Sequence, residues 1–279
     1  MGGKTPILRR KNMSEVLVVT SGKGGVGKTT TTANIGAALA SLKKRVLLID
    51  MDIGLRNLDL IMGLENRVVF NLVDVIEETC GLKSALVRDK RFDTLYLLPA
   101  AQTKDKDAVS EAQMKALCDS VRDMYDYVIL DCPAGIEQGF KNAVAGVDRA
   151  IVVTTPEVSA VRDADKIIGM LNAHGVTRQK LLVNRLRPDM VRRGDMITLA
   201  DITEILGIDL IGVVPDDEAV IVCANRGEPM VLCTKSPAGL AYRNIARRIT
   251  GETVPIVSPE GRESFFGKLR QLFVREGVL

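Results

Sequence analysis

The stretch Ser21-Gly22-Lys23-Gly24-Gly25-Val26-Gly27-Lys28-Thr29-Thr30 constrains this chain more than any other part of it. It follows the apolar run Val16-Leu17-Val18-Val19, which reads as a buried strand, and precedes an Ala- and Leu-rich segment from Thr31 to Leu42 that reads as a helix. The pattern G-x-x-x-x-G-K-[ST] is met by Gly22, Gly27, Lys28 and Thr29, and strand, glycine loop, helix is the context a phosphate-binding loop needs. Glycines let the backbone curl so that the N–H groups from Lys23 to Thr30 point inward at phosphate oxygens, and the helix adds its positive end. Lys28 is placed to reach the β- and γ-phosphates and Thr29 to set its hydroxyl on Mg²⁺. The bland alternative is a glycine-rich turn with no ligand, and the flanking strand and helix weigh against it. The sequence announces a nucleotide site, with Mg²⁺ as its expected companion ion.

Further apolar runs alternate with helical patterns. Strands are expected at 45–50, 94–99, 127–131, 148–155, 180–185 and 209–214, and helices at 112–124, up to about Asn172, at 218–225 and at 237–248. Helical patterns at Val69, Leu72, Val73 and Ile76, and near Leu82, Ala85 and Leu86, are assigned to packing around the sheet. Such alternation predicts an α/β fold, a doubly wound and mostly parallel sheet. In open parallel sheets ligands sit beyond the carboxyl ends of strands. Asp50 ends one strand with Asp52 just beyond it, and Asp131 ends another, so Asp131 is a candidate Mg²⁺ ligand, through water, and Asp52 is placed near the phosphates. On these residues alone an acidic helix cap is the lesser, alternative reading of Asp52. Cys132 reads as a small buried residue and His174 as a surface one.

Composition narrows the function classes. The balance of 38 Lys and Arg against 35 Asp and Glu gives +3, too little for a nucleic-acid binder, and the absence of Trp argues against base-stacking platforms. The 5 cysteines form no C-x-x-C pair and there is 1 histidine, a poor metal or Fe–S framework that points to a reducing compartment. No apolar run is long enough to span a membrane, and the basic N-terminus (Lys4, Arg9, Arg10, Lys11) lacks a signal peptide's apolar core. A cytosolic location is expected.

Lys23, inside K-G-G-V-G-K-T, makes the loop resemble that of the deviant Walker A ATPases, which include the MinD, ParA, Mrp and nitrogenase iron-protein families. The run D-x-D-x-G-L-R-N-L-D from Asp50 to Asp59, followed by L-I-M-G-L-E, and D-C-P-A-G from Asp131 resemble the MinD family in particular, and the likeness extends over about residues 15–276. The resemblance implies that Lys23 reaches across a homodimer interface to the partner's ATP and that Asp52 supports hydrolysis by orienting water. It implies that Asn184 meets the adenine edge, with the backbone at Pro215 and Asp216 as the pocket's other wall. It also implies an ATPase that recruits a MinC-like division inhibitor, answers to a MinE-like activator or a polar scaffold protein, and keeps FtsZ assembly at midcell. ParA-like DNA segregation and flagellar-number relatives are the nearest rivals; an Mrp-type Fe–S carrier would want the missing C-x-x-C, and a small-molecule kinase an acceptor pocket.

The chain divides into an N-terminal extension (1–14), an ATPase domain (15–254), a linker (255–261) and a tail (262–279). In the tail Phe265, Phe266, Leu269, Leu272 and Phe273 fall within one arc of roughly 120° at helical period, flanked by Lys268 and Arg270. Such a helix can dock on its own domain or lie on anionic lipid; the linker, the basic flanks and the MinD-like body favour a peripheral site on the cytoplasmic face of the inner membrane.

Overall fold

A computed structural model describes residues 14–104 and 108–256. The tail, with Phe265, Phe266, Lys268, Leu269, Arg270, Leu272 and Phe273, lies outside the described residues, as do residues 1–13 of the extension. The strands are β1 (Glu15–Thr20), β2 (Val46–Asp50), β3 (Val87–Arg88), β4 (Leu95–Leu98), β5 (Tyr127–Asp131), β6 (Arg149–Thr154), β7 (Gln179–Leu186) and β8 (Leu210–Pro215). They form one sheet in the order β3-β4-β2-β5-β1-β6-β7-β8. Every pairing is parallel except β3 with β4. The doubly wound, mostly parallel sheet expected from the sequence is the one present.

Strands covered on both faces read as continuous apolar runs, which is why β1 was visible from sequence. Val16 and Val18 enter one core layer, Leu17 and Val19 the other, and all four are fully buried. One layer holds α3 (Leu72–Ile76), α4 (Leu82–Ala85), α5 (Glu111–Val121), α6 (Gln138–Val144), α7 (Val158–Ala173) and α9 (Leu199–Leu206), with α8 (Pro188–Arg193) leading into α9. The other holds α1 (Lys28–Ser41), α2 (Leu58–Met62) and α11 (Pro237–Ile249), with α10 (Ala219–Asn225) beside them. Helix α1 is apolar almost all round, from Ala33 and Ile35 to Leu39 and Ala40, as a helix sunk between sheet and neighbour must be.

The elements differ from the sequence reading at their ends. Val69, expected on a packed helical face, is 79% exposed. Helix α3 begins only at Leu72, because Asn71 accepts from the N–H of Val73 and Asp74 while Asp74 accepts from the N–H of Asn71, a capping box. Helix α5 stops at Val121 rather than Met124, and Arg122 beyond it turns to the carboxylate of Asp148 at 2.7 Å. Strand β3 is a two-residue antiparallel edge with no pattern of its own.

Candidate functional site

The glycine loop leaves the carboxyl end of the central strand β1 and closes onto α1. Gly27 caps that helix in the left-handed region, at φ 98°, which a residue with a Cβ adopts only under strain. No side chain caps α1, so the donors of its first turn stay open toward the loop. Val26 is buried and anchors the loop tip in the core, and the Asn184 amide donates to its carbonyl at 2.8 Å. Lys28 is 8% exposed, and its Nζ donates to Ser21 Oγ at 2.9 Å while that hydroxyl donates to the Lys23 carbonyl at 2.8 Å. A Cβ at Gly22 would run into the backbone of Asp163, so the loop sits hard against α7.

Opposite the loop, β2 and β5 lie in register with Asp50 beside Asp131. Asp131 accepts from Thr32 Oγ1 at 3.0 Å and from the Thr29 hydroxyl. Burial, then the charge of Asp50, pushes its carboxyl up to about 8, against the pull of Thr29, Thr32 and Lys28. Burial also raises Asp50, which accepts from the N–H of Asp52 (2.9 Å), Asn57 (3.3 Å) and Leu58 (3.2 Å). Its carboxylate therefore ties down both ends of the loop that carries Asp52. At the head of α2 the Arg56 guanidinium lies 2.7 Å from the buried Asp59 carboxylate.

The donor set fits Mg²⁺. Thr29 and Asp131 offer hard oxygen atoms beside the glycine loop, and among the described residues no group of three or more His, Cys, Asp or Glu forms a cage. Mg²⁺ takes one or two carboxylates and completes its shell with phosphates and water, whereas Zn²⁺ demands the kind of cage that is missing.

A second hollow of about 440 Å³ opens next to the loop, lined among others by Gly27, Thr30, Asn184, Pro215, Asp216 and Tyr242. The sequence-expected base contacts thus meet in one place. Asn184 spends half its amide locally, accepting from the N–H of Arg185 and donating to Val26, which leaves one N–H and one lone pair for a base edge. Lys23, half-exposed, points along the rim to Glu157 (3.4 Å) and Ser159 (3.3 Å) at the start of α7. Cys132 is buried, and His174 is exposed with its ring edge-on to Phe140.

Sequence reasoning missed the parts played by Ser21, Thr32 and Tyr242. Thr32 follows Lys28 by one helical turn, which was a usable signal; Tyr242, whose hydroxyl lies 3.2 Å from Thr31, comes from a distant helix and gave none.

The family model for the CobQ/CobB/MinD/ParA nucleotide binding domain matches residues 17–230. The septum site-determining protein MinD of Bacillus subtilis is 56% identical over 264 residues, covering 94% of this chain and 98% of that protein. The structure is similar to the MinC:MinD cell division protein complex of Aquifex aeolicus, with TM-score 0.80 and 48% identity over 88% of this chain and 99% of that one. It is also similar to the septum site-determining protein MinD of Pyrococcus horikoshii complexed with Mg-ADP, with TM-score 0.77 and 28% identity over 85% of this chain and 96% of that one.

Proposed function

The chain belongs to the MinD family of CobQ/CobB/MinD/ParA nucleotide-binding proteins, and from that premise we propose that it is the ATP-driven switch of division-site selection. It is an ATPase whose nucleotide is ATP with Mg²⁺. It forms an ATP-dependent homodimer, recruits a MinC-like inhibitor and so blocks septation away from midcell. The observation that carries the reading is the meeting of Lys28, Thr29, Asp131 and the Asp52 loop at the carboxyl ends of β1, β2 and β5.

In this reading the backbone N–H groups from Lys23 to Thr30 hold the phosphates, and Lys28 leaves Ser21 to meet the β- and γ-oxygens. The Thr29 hydroxyl and, once it has given up its proton, the Asp131 carboxylate (through water) would hold Mg²⁺, which when bound would supply charge neutralisation at the phosphoryl group. Asp52 orients the attacking water, held in place by Asp50 behind it. Lys23 swings off Glu157 and Ser159 to the nucleotide of the partner protomer. Asn184, Pro215 and Asp216 receive the base. The tail, with its apolar arc from Phe265 to Phe273, holds the dimer on anionic lipid at the cytoplasmic face of the inner membrane: one copy binds marginally, and two gain roughly 10²–10⁴ by effective concentration.

Phosphate release from ATP without any added acceptor tests the activity. Sedimentation with anionic vesicles, ATP against ADP, full chain against one stopped at Gly261, tests the switch: only the full chain with ATP should pellet. Deleting the gene in its own cell should place septa at the poles, and septa that stay at midcell overturn the division reading.

A further inference from the structure

On the outer flank of the sheet an apolar groove of about 230 Å³ runs between β8 and α11. Strand β8 ends the sheet, so among the described residues no strand covers its outer edge. Pro237, Leu240, Ala241, Asn244 and Arg248 face the groove from α11 at helical spacing, and Val213 lines it from β8. Leu240 is 53% exposed, although its neighbours Ala238, Tyr242 and Ile245 are buried.

The chain itself runs into this groove. Arg248 donates to the carbonyls of Ile211 (2.9 Å), Val254 (2.8 Å) and Pro255 (2.7 Å), tying the segment after α11 alongside β8. Ile256 then forms part of the groove wall. Residues 257–279, with their apolar arc, follow directly. At the Pro215 end of the groove the exposed Asp216 and Glu218 stand ready for basic side chains, and Lys268 and Arg270 flank the arc.

We propose that the groove between β8 and α11 is the resting seat of the chain's own tail, taking part of the Phe265, Phe266, Leu269, Leu272 and Phe273 face whenever the tail is off a lipid surface. The nine residue steps from Ile256 to Phe265 reach at most ~30 Å, long enough to fold back and short enough for a high local concentration. The groove is too small for all five side chains, so seating is partial and lipid can displace it. Pro215 lines both this groove and the base hollow, so nucleotide and tail meet at one residue. The proposal deepens the reading of the tail as membrane anchor, yet its first readout uses no membrane.

The chain has 0 Trp, so full-length Phe266→Trp carries a single reporter. Without nucleotide or vesicles its emission should be blue-shifted and shielded from acrylamide. Adding Leu240→Glu, or Ile256→Asp as a second surface change, should shift emission to the red and raise quenching severalfold. If the seat is nine-tenths occupied, Leu240→Glu should also raise affinity for anionic vesicles in ADP by roughly tenfold. Emission and quenching that ignore both groove variants overturn the proposal, whatever the vesicles do. Shielding that fades on dilution overturns it too, since the occupant is then a second copy's tail. Shielding that responds to both variants while nothing pellets in any state keeps the seat and removes the anchor.

Discussion

Asp131 and Asp50 carry the sharpest residue-scale consequence. Their carboxyls sit above the ordinary range in the folded chain because of burial, so the folded state holds protons that the unfolded state has released. Stability of the nucleotide-free chain should therefore fall as pH rises from about 4, the unfolded value, to about 8, the folded value of Asp131. Thermal midpoints taken across that window should decline, Asp131→Asn should flatten the slope, and Mg-ATP should offset it by favouring the ionised carboxylate. A midpoint that rises with pH would contradict the burial argument. In the proposed mechanism Asp52 acts on the reaction, while Asp50 fixes the loop through three backbone N–H groups. Asp52→Asn should lower turnover by about 10²-fold and leave nucleotide affinity near that of the parent, read from phosphate release beside a binding titration.

At the scale of elements, Ser236 joins helix to site. It caps α11 by accepting from the N–H of Gly239 at 2.9 Å, and it donates to Asp217 at 2.7 Å beside the base hollow. Burial pushes the Asp217 carboxyl up, but bonds from Ser236, Ala219 and Ala238 outweigh it and hold the group below its ordinary value. Ser236→Ala should cost about 2 kcal/mol in urea unfolding, from a lost cap and a lost charge-assisted bond. The same elements show what a sequence can and cannot say. Strands β1, β2 and β5 were legible because both faces are buried and their central residues form unbroken apolar runs. Helices α8 and α9 went unassigned though their punctuation was there: Pro188 and Gly194 bracket one, Thr198 and Gly207 the other. Strand β3 owes its existence to β4 alone and leaves no local trace. In the site, Lys28, Thr29 and Asp131 follow from spacing. The hold of Asp50 on the Asp52 loop, and the pairing of Lys23 with Glu157, depend on where separate segments arrive.

At the scale of the whole molecule, a parallel sheet is one-sided. The carboxyl ends of the strands share a rim, and that rim gathers the phosphate loop, the Asp52 loop, the start of α7 and the base hollow. The other rim is a set of satisfied ion pairs: Glu15 lies 2.8 Å from both Arg149 and Arg178, Arg122 lies 2.7 Å from Asp148, and Arg45 lies 2.9 Å from Asp126. Lys44 stands among them, far along the strands from the chemistry. That rim is accordingly the molecule's handle. A dye or a surface linker fixed at position 44 should leave ATP turnover within about twofold of the parent, the range expected of a surface change that touches no working part. In the proposed ATP-bound dimer the same linker on the opposite rim would stand between the two protomers, so single-molecule work on this chain is best anchored at position 44.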